Sequence, residues 1–161
     1  TDFKDPVQVL KALNVAFPSD SNKDMFFTIW YGVFNTNSRE LTYASAGHPP
    51  AILCDENSAC NCHINLLNTP NFVVGGIEGT TYVKDKYEIP AGNTLYIFSD
   101  GVYEVEKSDG TNWHFHEFVN YLKKVKTDGH AVMDRLYDYV RGKGKSDNLE
   151  DDFTIVEVVF G

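Results

Sequence analysis

Residues 94–101 read Thr-Leu-Tyr-Ile-Phe-Ser-Asp-Gly and join an apolar run to an acidic turn. Apolar and aromatic residues that follow one another without alternation predict a strand that is buried on both faces. Asp100 and Gly101 come directly after that strand, and a glycine there permits a tight turn and the close approach of another backbone. A carboxylate beside a buried strand is destabilising unless it is hydrogen-bonded, paired with a cation or bound to a metal. The stretch therefore predicts a buried strand that ends at a candidate functional site.

A second acidic pair, Asp151 and Asp152, stands directly before residues 153–160 (FTIVEVVF), which predict the last strand. If this strand and residues 94–98 are antiparallel neighbours, both acidic pairs lie at the same edge of one sheet. Hard oxygen ligands of this kind suit Mg²⁺ or Mn²⁺, and two such ions can activate water and hold a phosphoryl group. Taken separately, however, Asp-Gly is typical of a turn and Asp-Asp of a capped loop. The two motifs indicate more than a turn and a capped loop only when they are taken together with a third segment.

The remaining segments outline an α+β protein. Asp5 and Pro6 are typical of a helix N-cap and first turn, apolar residues follow at helical spacing to Phe17, and Pro18 ends the segment. Strands are predicted at residues 25–34, 40–46, 51–54, 64–67 and 82–89, and helices at residues 117–125 and 131–140. Strands concentrated early and helices late favour antiparallel sheets, two of which could pack together with helices outside.

Length and charge narrow the functional classes. A chain of 161 residues suffices for one domain, because domains commonly span roughly 100–200 residues. Asp and Glu number 23 against 14 Lys and Arg, and the net charge of −9 argues against nucleic-acid and membrane-surface binding. No apolar run comes close in length to the about 18 residues that a membrane-spanning helix needs. The N-terminus lacks the pattern of a signal peptide. Three cysteines, an odd number, favour a reducing cytoplasm.

Three segments, taken in order, resemble a known enzyme family. They are residues 46–50 (AGHPP) after a predicted hairpin, residues 99–102 (SDGV) after the buried strand, and residues 151–154 (DDFT) at the start of the last strand. The combination resembles the metal-dependent protein serine/threonine phosphatases of the type 2C superfamily, in particular the bacterial SpoIIE/RsbU-type branch. The resemblance extends over residues 5–160, with further matches at residues 27–28, 41–44 and 90–92.

This resemblance implies an αββα sandwich of two antiparallel sheets flanked by helices, with a dinuclear Mg²⁺ or Mn²⁺ site at one end. Asp100 and Asp151 match metal ligands of the family, so we assign both to the catalytic site. Gly101 and Asp152 complete the predicted metal-binding segment, although Asp152 stands where relatives vary and has a supporting role. His48 matches a structural turn of the family, and a single histidine in a turn is more often hydrogen-bonded than catalytic.

The first metal motif of the family does not occur in residues 1–161. That motif is an Asp-Gly-x-Gly-like stretch whose Asp bridges both metals, and Gly75-Gly76 and Asp109-Gly110 come too late in the order to replace it. We therefore expect residues 1–161 to form a single, partial phosphatase domain that lacks the N-terminal part, by truncation or by natural loss. Such a chain should be inactive alone, and apolar surface left uncovered by the absent strands could drive formation of a homodimer.

The activity implied by the resemblance is hydrolysis of phosphoserine or phosphothreonine by a metal-activated water, without a covalent intermediate. The implied substrate is a phosphoprotein such as an anti-sigma-factor antagonist. The implied context is a cytoplasmic bacterial signalling protein with an upstream sensor or receiver domain. The competing hypothesis is a non-catalytic regulatory or protein-binding module with a phosphatase-like fold and an incomplete metal site. An Asp-Gly-x-Gly motif encoded directly before Thr1 would favour the enzyme, whereas a natural start at Thr1 would favour the module.

Other residues that could bind metals or act as nucleophiles give weaker patterns. A cysteine-rich segment could bind Zn²⁺, although its spacing is not that of a standard zinc finger, and the alternative is an exposed loop with incidental thiols. Its members are Cys54, Cys60, Cys62 and His63. His114 and His116 precede a predicted helix, so packing and capping explain them better than ligation. The sequence contains no G-x-S-x-G and no C-x₅-R motif, which leaves serine and cysteine nucleophiles without support.

Overall fold

The computed structural model describes residues 1–18, 26–55, 63–107, 109–127, 132–143 and 151–161. Their contacts divide the chain into two compact units. The first comprises Thr1–Ile52, Leu66–Ala91 and Phe160–Gly161, and the second comprises Leu53–Asn65 and Gly92–Val159. The helices and strands, in chain order, are α1 (Pro6–Ala16), β1 (Ile29–Asn35), β2 (Glu40–Ala46), β3 (Ala51–Asp55), β4 (His63–Leu67), β5 (Asp85–Glu88), β6 (Thr94–Phe98), β7 (Val105–Glu106), β8 (Asn112–Trp113), α2 (Phe115–Thr127), α3 (Val132–Arg141) and β9 (Ile155–Val159).

The α+β class with antiparallel strand pairs, as predicted from the sequence, is confirmed. That residues 1–161 form a single domain stays a prediction.

Helix α1 begins as expected, because Oδ1 of Asp5 accepts a 3.0 Å hydrogen bond from the N–H of Val7 and Pro6 occupies the first turn. The helix contributes Leu10 to a cluster of buried side chains in the first unit. The members of that cluster are Leu10, Ala44, Ala46, Val74 and Tyr82.

The first sheet has the order β1-β2-β5, with antiparallel pairing between both neighbours. The predicted hairpin of β1 and β2 is confirmed, and its register runs from Ile29 opposite Ala46 to Asn35 opposite Glu40. The predicted start of this strand at residue 25 is wrong: β1 begins at Ile29, and before it Phe27 forms only an isolated bridge with Val74. Strand β5 is shorter than the predicted 82–89, because the Asn71 side chain, rather than a strand, pairs with the N–H and carbonyl of Val83 at 2.8 Å each.

The second sheet has the order β4-β3-β6-β9 and contains the apolar run at residues 94–98 as β6. Strands β6 and β9 pair in antiparallel orientation, with Thr94 opposite Val159 and Phe98 opposite Ile155. Burial on both faces of β6 is confirmed, because neighbouring Leu95 and Tyr96 are 3% and 0% exposed. The last strand is confirmed in position, but it is shorter at both ends than the predicted 153–160.

Aromatic side chains hold the segment that follows β6. Phe98 packs edge-on against Phe118 of α2 with ring centroids 4.9 Å apart, and Tyr103 packs against Phe115 at 5.5 Å. Trp113 of β8 is 2% exposed and also contacts Phe118. Strands β7 and β8 form a hairpin that the sequence did not predict, since each has only two residues. These contacts anchor the turn between β6 and α2.

Helices α2 and α3 confirm the two late helices, with ends that differ by one or two residues from the predicted ones. The N–H of His114 donates to Oε2 of Glu117 at 3.1 Å, which caps the start of α2 as expected for this histidine. Lys107 donates to the same carboxylate at 2.9 Å, and this bond is the main cause that lowers the pKa of Glu117. Among the described residues, no helix is long and apolar enough to cross a membrane.

Candidate functional site

The end of β6 and the start of β9 bring the two acidic segments side by side. The ladder between these strands continues past Phe98, where the N–H of Ser99 donates to the carbonyl of Thr154 at 2.9 Å. The expectation that the two strands are antiparallel neighbours is therefore confirmed. Asp100 follows Ser99, and Asp152 stands two residues before Thr154, so both acidic segments lie at the same edge of the sheet.

Asp100 starts a single 3-10 turn, Asp100–Val102, directly after β6. Its backbone carbonyl accepts hydrogen bonds from the N–H groups of Tyr103 at 2.9 Å and Glu104 at 2.8 Å. Its Oδ1 accepts a 3.1 Å hydrogen bond from the N–H of Gly101, while the residue as a whole is exposed. The turn thus fixes the backbone of Asp100 and leaves its carboxylate accessible from solvent.

Gly101 is the point of closest approach between the two acidic segments. A Cβ atom at this position would lie 2.6 Å from the carbonyl oxygen of Asp152 and 3.3 Å from the carbonyl carbon of Asp151. The backbone of Gly101 is not in the left-handed region, so the close approach, rather than the torsion angle, requires glycine. No residue larger than glycine fits at this position unless one of the two backbones moves.

Asp151 and Asp152 are both exposed at the start of the last strand segment. The Oδ1 atom of Asp151 accepts a 2.7 Å hydrogen bond from the N–H of Asp152. The carbonyl of Asp152 accepts a hydrogen bond of 2.7 Å from the hydroxyl of Ser99. Sequence reasoning assigned no role to Ser99, although a serine beside an acidic turn is a common backbone-capping residue.

The donor chemistry of this site suits a hard cation, but the described ligand set is partial. Asp100, Asp151 and Asp152 offer carboxylate oxygens on two adjoining segments, which Mg²⁺ and Mn²⁺ prefer. None of the ion pairs formed by the described residues involves these three carboxylates. Within the same residues, no group of three or more His, Cys, Asp or Glu side chains could hold a metal ion by itself. A complete metal site would therefore need a ligand beyond the described set.

The pKa of Tyr103, which lies directly after the turn, is shifted by burial and by neighbouring negative charges. Burial raises its pKa to about 12, and the negative charges of Glu104 and Asp100 add to the shift. The phenol therefore stays neutral over the whole range in which enzymes normally work. Its ring supports the turn by packing against Phe98 with centroids 6.2 Å apart.

His48 lies in the first unit, within the AGHPP turn. Gly47 has a φ of 66°, and a Cβ atom there would lie 2.4 Å from Cγ1 of Val73. The Nδ1 atom of His48 lies 2.8 Å from the carbonyl oxygen of Pro49, a contact typical of a structural histidine. The geometry around His48 matches the structural role expected for this turn.

A buried polar network at the end of β2 was not predicted from the sequence. Ser45 is fully buried, and its N–H donates to Oγ1 of Thr69 at 2.8 Å while the Thr69 N–H donates to Oγ of Ser45 at 2.9 Å. Asn71 donates to the carbonyl of Ser45 at 3.0 Å and so joins the network to Val83. No local motif marks this network, because Ser45 lies more than 20 positions before Thr69 and Asn71 along the chain.

The zinc hypothesis for the cysteine-rich segment stays untested, because Cys60 and Cys62 lie outside the described residues. Cys54 is buried in β3, and His63 begins β4.

Asp109 accepts hydrogen bonds from the N–H and hydroxyl of Thr111 at 2.9 and 2.7 Å. Those bonds are typical of a turn and agree with the exclusion of Asp109-Gly110 as a metal motif.

Comparison with known proteins gives a consistent family match. The model of the family described as Stage II sporulation protein E (SpoIIE) matches residues 2–160. The chain is 28% identical over 155 residues to the phosphoserine phosphatase RsbU of Bacillus subtilis (strain 168). This match covers 94% of the chain and 44% of RsbU, so the chain spans less than half the length of that relative.

Solved structures share the fold. The SiaA-PP2C domain of Pseudomonas aeruginosa superposes with a TM-score of 0.79 at 16% identity, over 98% of this chain and 62% of that one. The manganese-soaked phosphatase domain of SpoIIE from Bacillus subtilis superposes with a TM-score of 0.59 at 17% identity, over 96% of this chain and 64% of that one. At these identities the likeness concerns the fold alone.

Proposed function

The chain belongs to the Stage II sporulation protein E family, and we propose that it is part of a metal-dependent phosphatase domain that hydrolyses phosphoserine or phosphothreonine in proteins. The observation that carries this proposal is the contact between the turn at Gly101 and the backbone of Asp151 and Asp152. Through that contact, acidic residues from two distant parts of the chain meet at one sheet edge. We propose that their carboxylate oxygens bind a divalent cation there.

In this proposal Asp100 and Asp151 supply carboxylate ligands, Asp152 supports them, and Gly101 permits the backbones to approach. Two Mg²⁺ or Mn²⁺ ions, when bound, would polarise a water molecule and the phosphoryl oxygens. Because the described ligand set is partial, the complete site would need a further ligand such as the bridging Asp of the family. Residues 1–161 alone would accordingly be inactive.

The scarcity of arginine supports metal-mediated rather than arginine-mediated binding of phosphate. The guanidinium of Arg39 donates hydrogen bonds to the carbonyls of Ile89 and Gly161, both at 2.8 Å. These bonds join segments of the first unit. Arg135 and Arg141 belong to α3. With only three arginines in the chain, we propose that the cations, rather than arginine side chains, hold the phosphoryl group.

For substrate and context, we propose a phosphoprotein such as an anti-sigma-factor antagonist, in a cytoplasmic signalling protein with an upstream sensor or receiver domain. The similarity to RsbU, which is named a phosphoserine phosphatase, supports this choice. A second candidate function is a non-catalytic protein-binding module of the same fold, favoured by the partial ligand set. Formation of a homodimer stays a prediction.

The test compares the natural polypeptide that contains this chain with residues 1–161 alone, using release of phosphate from a phosphoserine protein in Mn²⁺. We expect turnover by the natural polypeptide, and little or no hydrolysis of p-nitrophenyl phosphate by residues 1–161. Asp100→Asn and Asp151→Asn should lower kcat by about a hundredfold or more, because each removes a ligand charge. Asp134→Asn, a matched change at an exposed position of α3, should leave kcat unchanged.

Full turnover in the Asp100→Asn and Asp151→Asn variants would contradict the assignment of the site. A natural polypeptide that is folded and supplied with Mn²⁺ but shows no turnover would favour the binding module. Robust turnover by residues 1–161 alone would show that the ligand set is complete without a further segment.

A further inference from the structure

Ser99 joins the two acidic segments through its side chain. Its hydroxyl donates to the carbonyl of Asp152 at 2.7 Å and accepts a hydrogen bond from the N–H of Thr154 at 3.0 Å. Its own N–H donates to the carbonyl of Thr154 at 2.9 Å. One serine therefore makes three hydrogen bonds to a segment that lies more than 50 positions away along the chain.

These bonds stand where the regular ladder between β6 and β9 ends. The last regular pair joins Phe98 and Ile155, and Ser99 stands one residue beyond it, directly before the turn at Asp100. Without the hydroxyl, the carbonyl of Asp152 and the N–H of Thr154 would lose these partners in the described structure. The serine side chain thus replaces two backbone partners at the place where the acidic residues begin.

Gly101 limits the same segment from the other side. The carbonyl oxygen of Asp152 lies 2.6 Å from the place that a Cβ of Gly101 would occupy. The hydroxyl of Ser99 binds that same carbonyl oxygen. The position of Asp152, and of the adjacent Asp151, is therefore set by one attractive contact and one steric limit, both provided by neighbours of Asp100.

We infer that Ser99 is a positioning residue, whose hydroxyl sets the separation of Asp100 from Asp151 and thereby the affinity of this pair for a divalent cation. The inference rests on the proposed function, since it assigns Ser99 a role toward the same cation site. Ser99 itself need not touch the cation or the substrate, because the hydroxyl proton and one of the two oxygen lone pairs already bind the backbone of residues 152 and 154. Partners that orient ligands commonly change metal affinity by about 10–100-fold when they are removed.

The test is a Mn²⁺ titration of the natural polypeptide that contains this chain, monitored by electron paramagnetic resonance, which reports free Mn²⁺ and requires no turnover. Ser99→Ala should weaken Mn²⁺ binding about tenfold or more, whereas Ser99→Thr, which keeps the hydroxyl and suits a strand end, should stay within about twofold. Ser38→Ala provides the matched control, because Ser38 is exposed in the turn between β1 and β2. Without metal, the amide of Thr154 should exchange faster in Ser99→Ala than in Ser99→Thr or the wild-type chain.

The possible failures are distinguishable. If the wild-type natural polypeptide binds no Mn²⁺, the proposed cation site is wrong and the inference is overturned with it. Wild-type binding that Ser99→Ala leaves unchanged would overturn the inference alone, and so would a Ser99→Thr variant as weak as Ser99→Ala. A Thr154 amide that exchanges equally fast in all three chains would show that the hydroxyl does not hold the segment. Melting temperatures of all variants, measured without metal, separate weakened binding from loss of the fold.

Discussion

Replacing Gly101 with alanine is the most specific structural perturbation of the acidic edge. The new methyl group would lie 2.6 Å from the carbonyl oxygen and 3.1 Å from the carbonyl carbon of Asp152, and 3.3 Å from the carbonyl carbon of Asp151. All three atoms belong to the backbone, so no side-chain rotation relieves the contact. Either the turn after β6 or the segment before β9 must therefore move.

The size of the movement and its energy follow from these distances. Restoring an ordinary contact of 3.4 Å to the nearest atom requires 3.4 − 2.6 = 0.8 Å of displacement. Inserting a methyl group into a packed contact destabilises proteins by about 1–3 kcal/mol. For a chain of this length, that range corresponds to a fall in melting temperature of about 2–12 °C. The displacement also separates the two acidic segments, so Mn²⁺ binding should weaken about tenfold or more.

The assay combines thermal unfolding with the Mn²⁺ titration, and Gly110→Ala is the comparison variant. Gly110 has a φ of 83° and nothing within 4 Å of its Cβ position, so alanine there introduces backbone strain without a contact. That strain should destabilise the fold by about 1–2 kcal/mol. We expect both variants to melt at lower temperature, but only Gly101→Ala to weaken Mn²⁺ binding.

Equal Mn²⁺ affinity in Gly101→Ala and the wild-type chain would refute the reasoning, since it would show that the spacing of the acidic segments does not control the cation site. Equal losses of affinity in Gly101→Ala and Gly110→Ala would refute it as well. In that case general destabilisation, rather than displacement at the acidic edge, would explain the effect.

Two further predictions concern the fold around the site. Asn71→Ala removes the side chain that pairs with Val83, and should lower the free energy of unfolding by about 1–3 kcal/mol in urea titrations; Asn37→Ala, in an exposed turn, is the control, and an equal loss there would contradict the role of Asn71. Burial raises the pKa values of Tyr43 and Tyr103 from 10.0 to about 12, so the unfolded chain ionises first and stability should fall as the pH rises from about 10 to about 12. Phenylalanine at both positions should flatten this decline in urea titrations across pH, and an unchanged slope would count against these pKa shifts.

Local signals in the sequence were sufficient for the elements that need no distant partner. Asp5 and Pro6 mark the start of α1 because capping is decided within one helical turn. The nearly continuous apolar run at residues 94–98 marks β6 because a strand covered on both faces consists mainly of apolar residues. Boundaries that depend on distant partners were less accurate: β5 is shorter than predicted because Asn71 occupies the backbone groups of Val83.

The sequence by itself determined the α+β class, the buried strand β6 and the two acidic pairs that follow and precede strands. Only the tertiary structure decided that Ser99 binds Asp152 and Thr154, and that Gly101 must lack a side chain because Asp152 approaches it. The physical reason is the register of β6 and β9. It joins residues more than 50 positions apart, and no local propensity specifies which atoms meet once the two strands have paired.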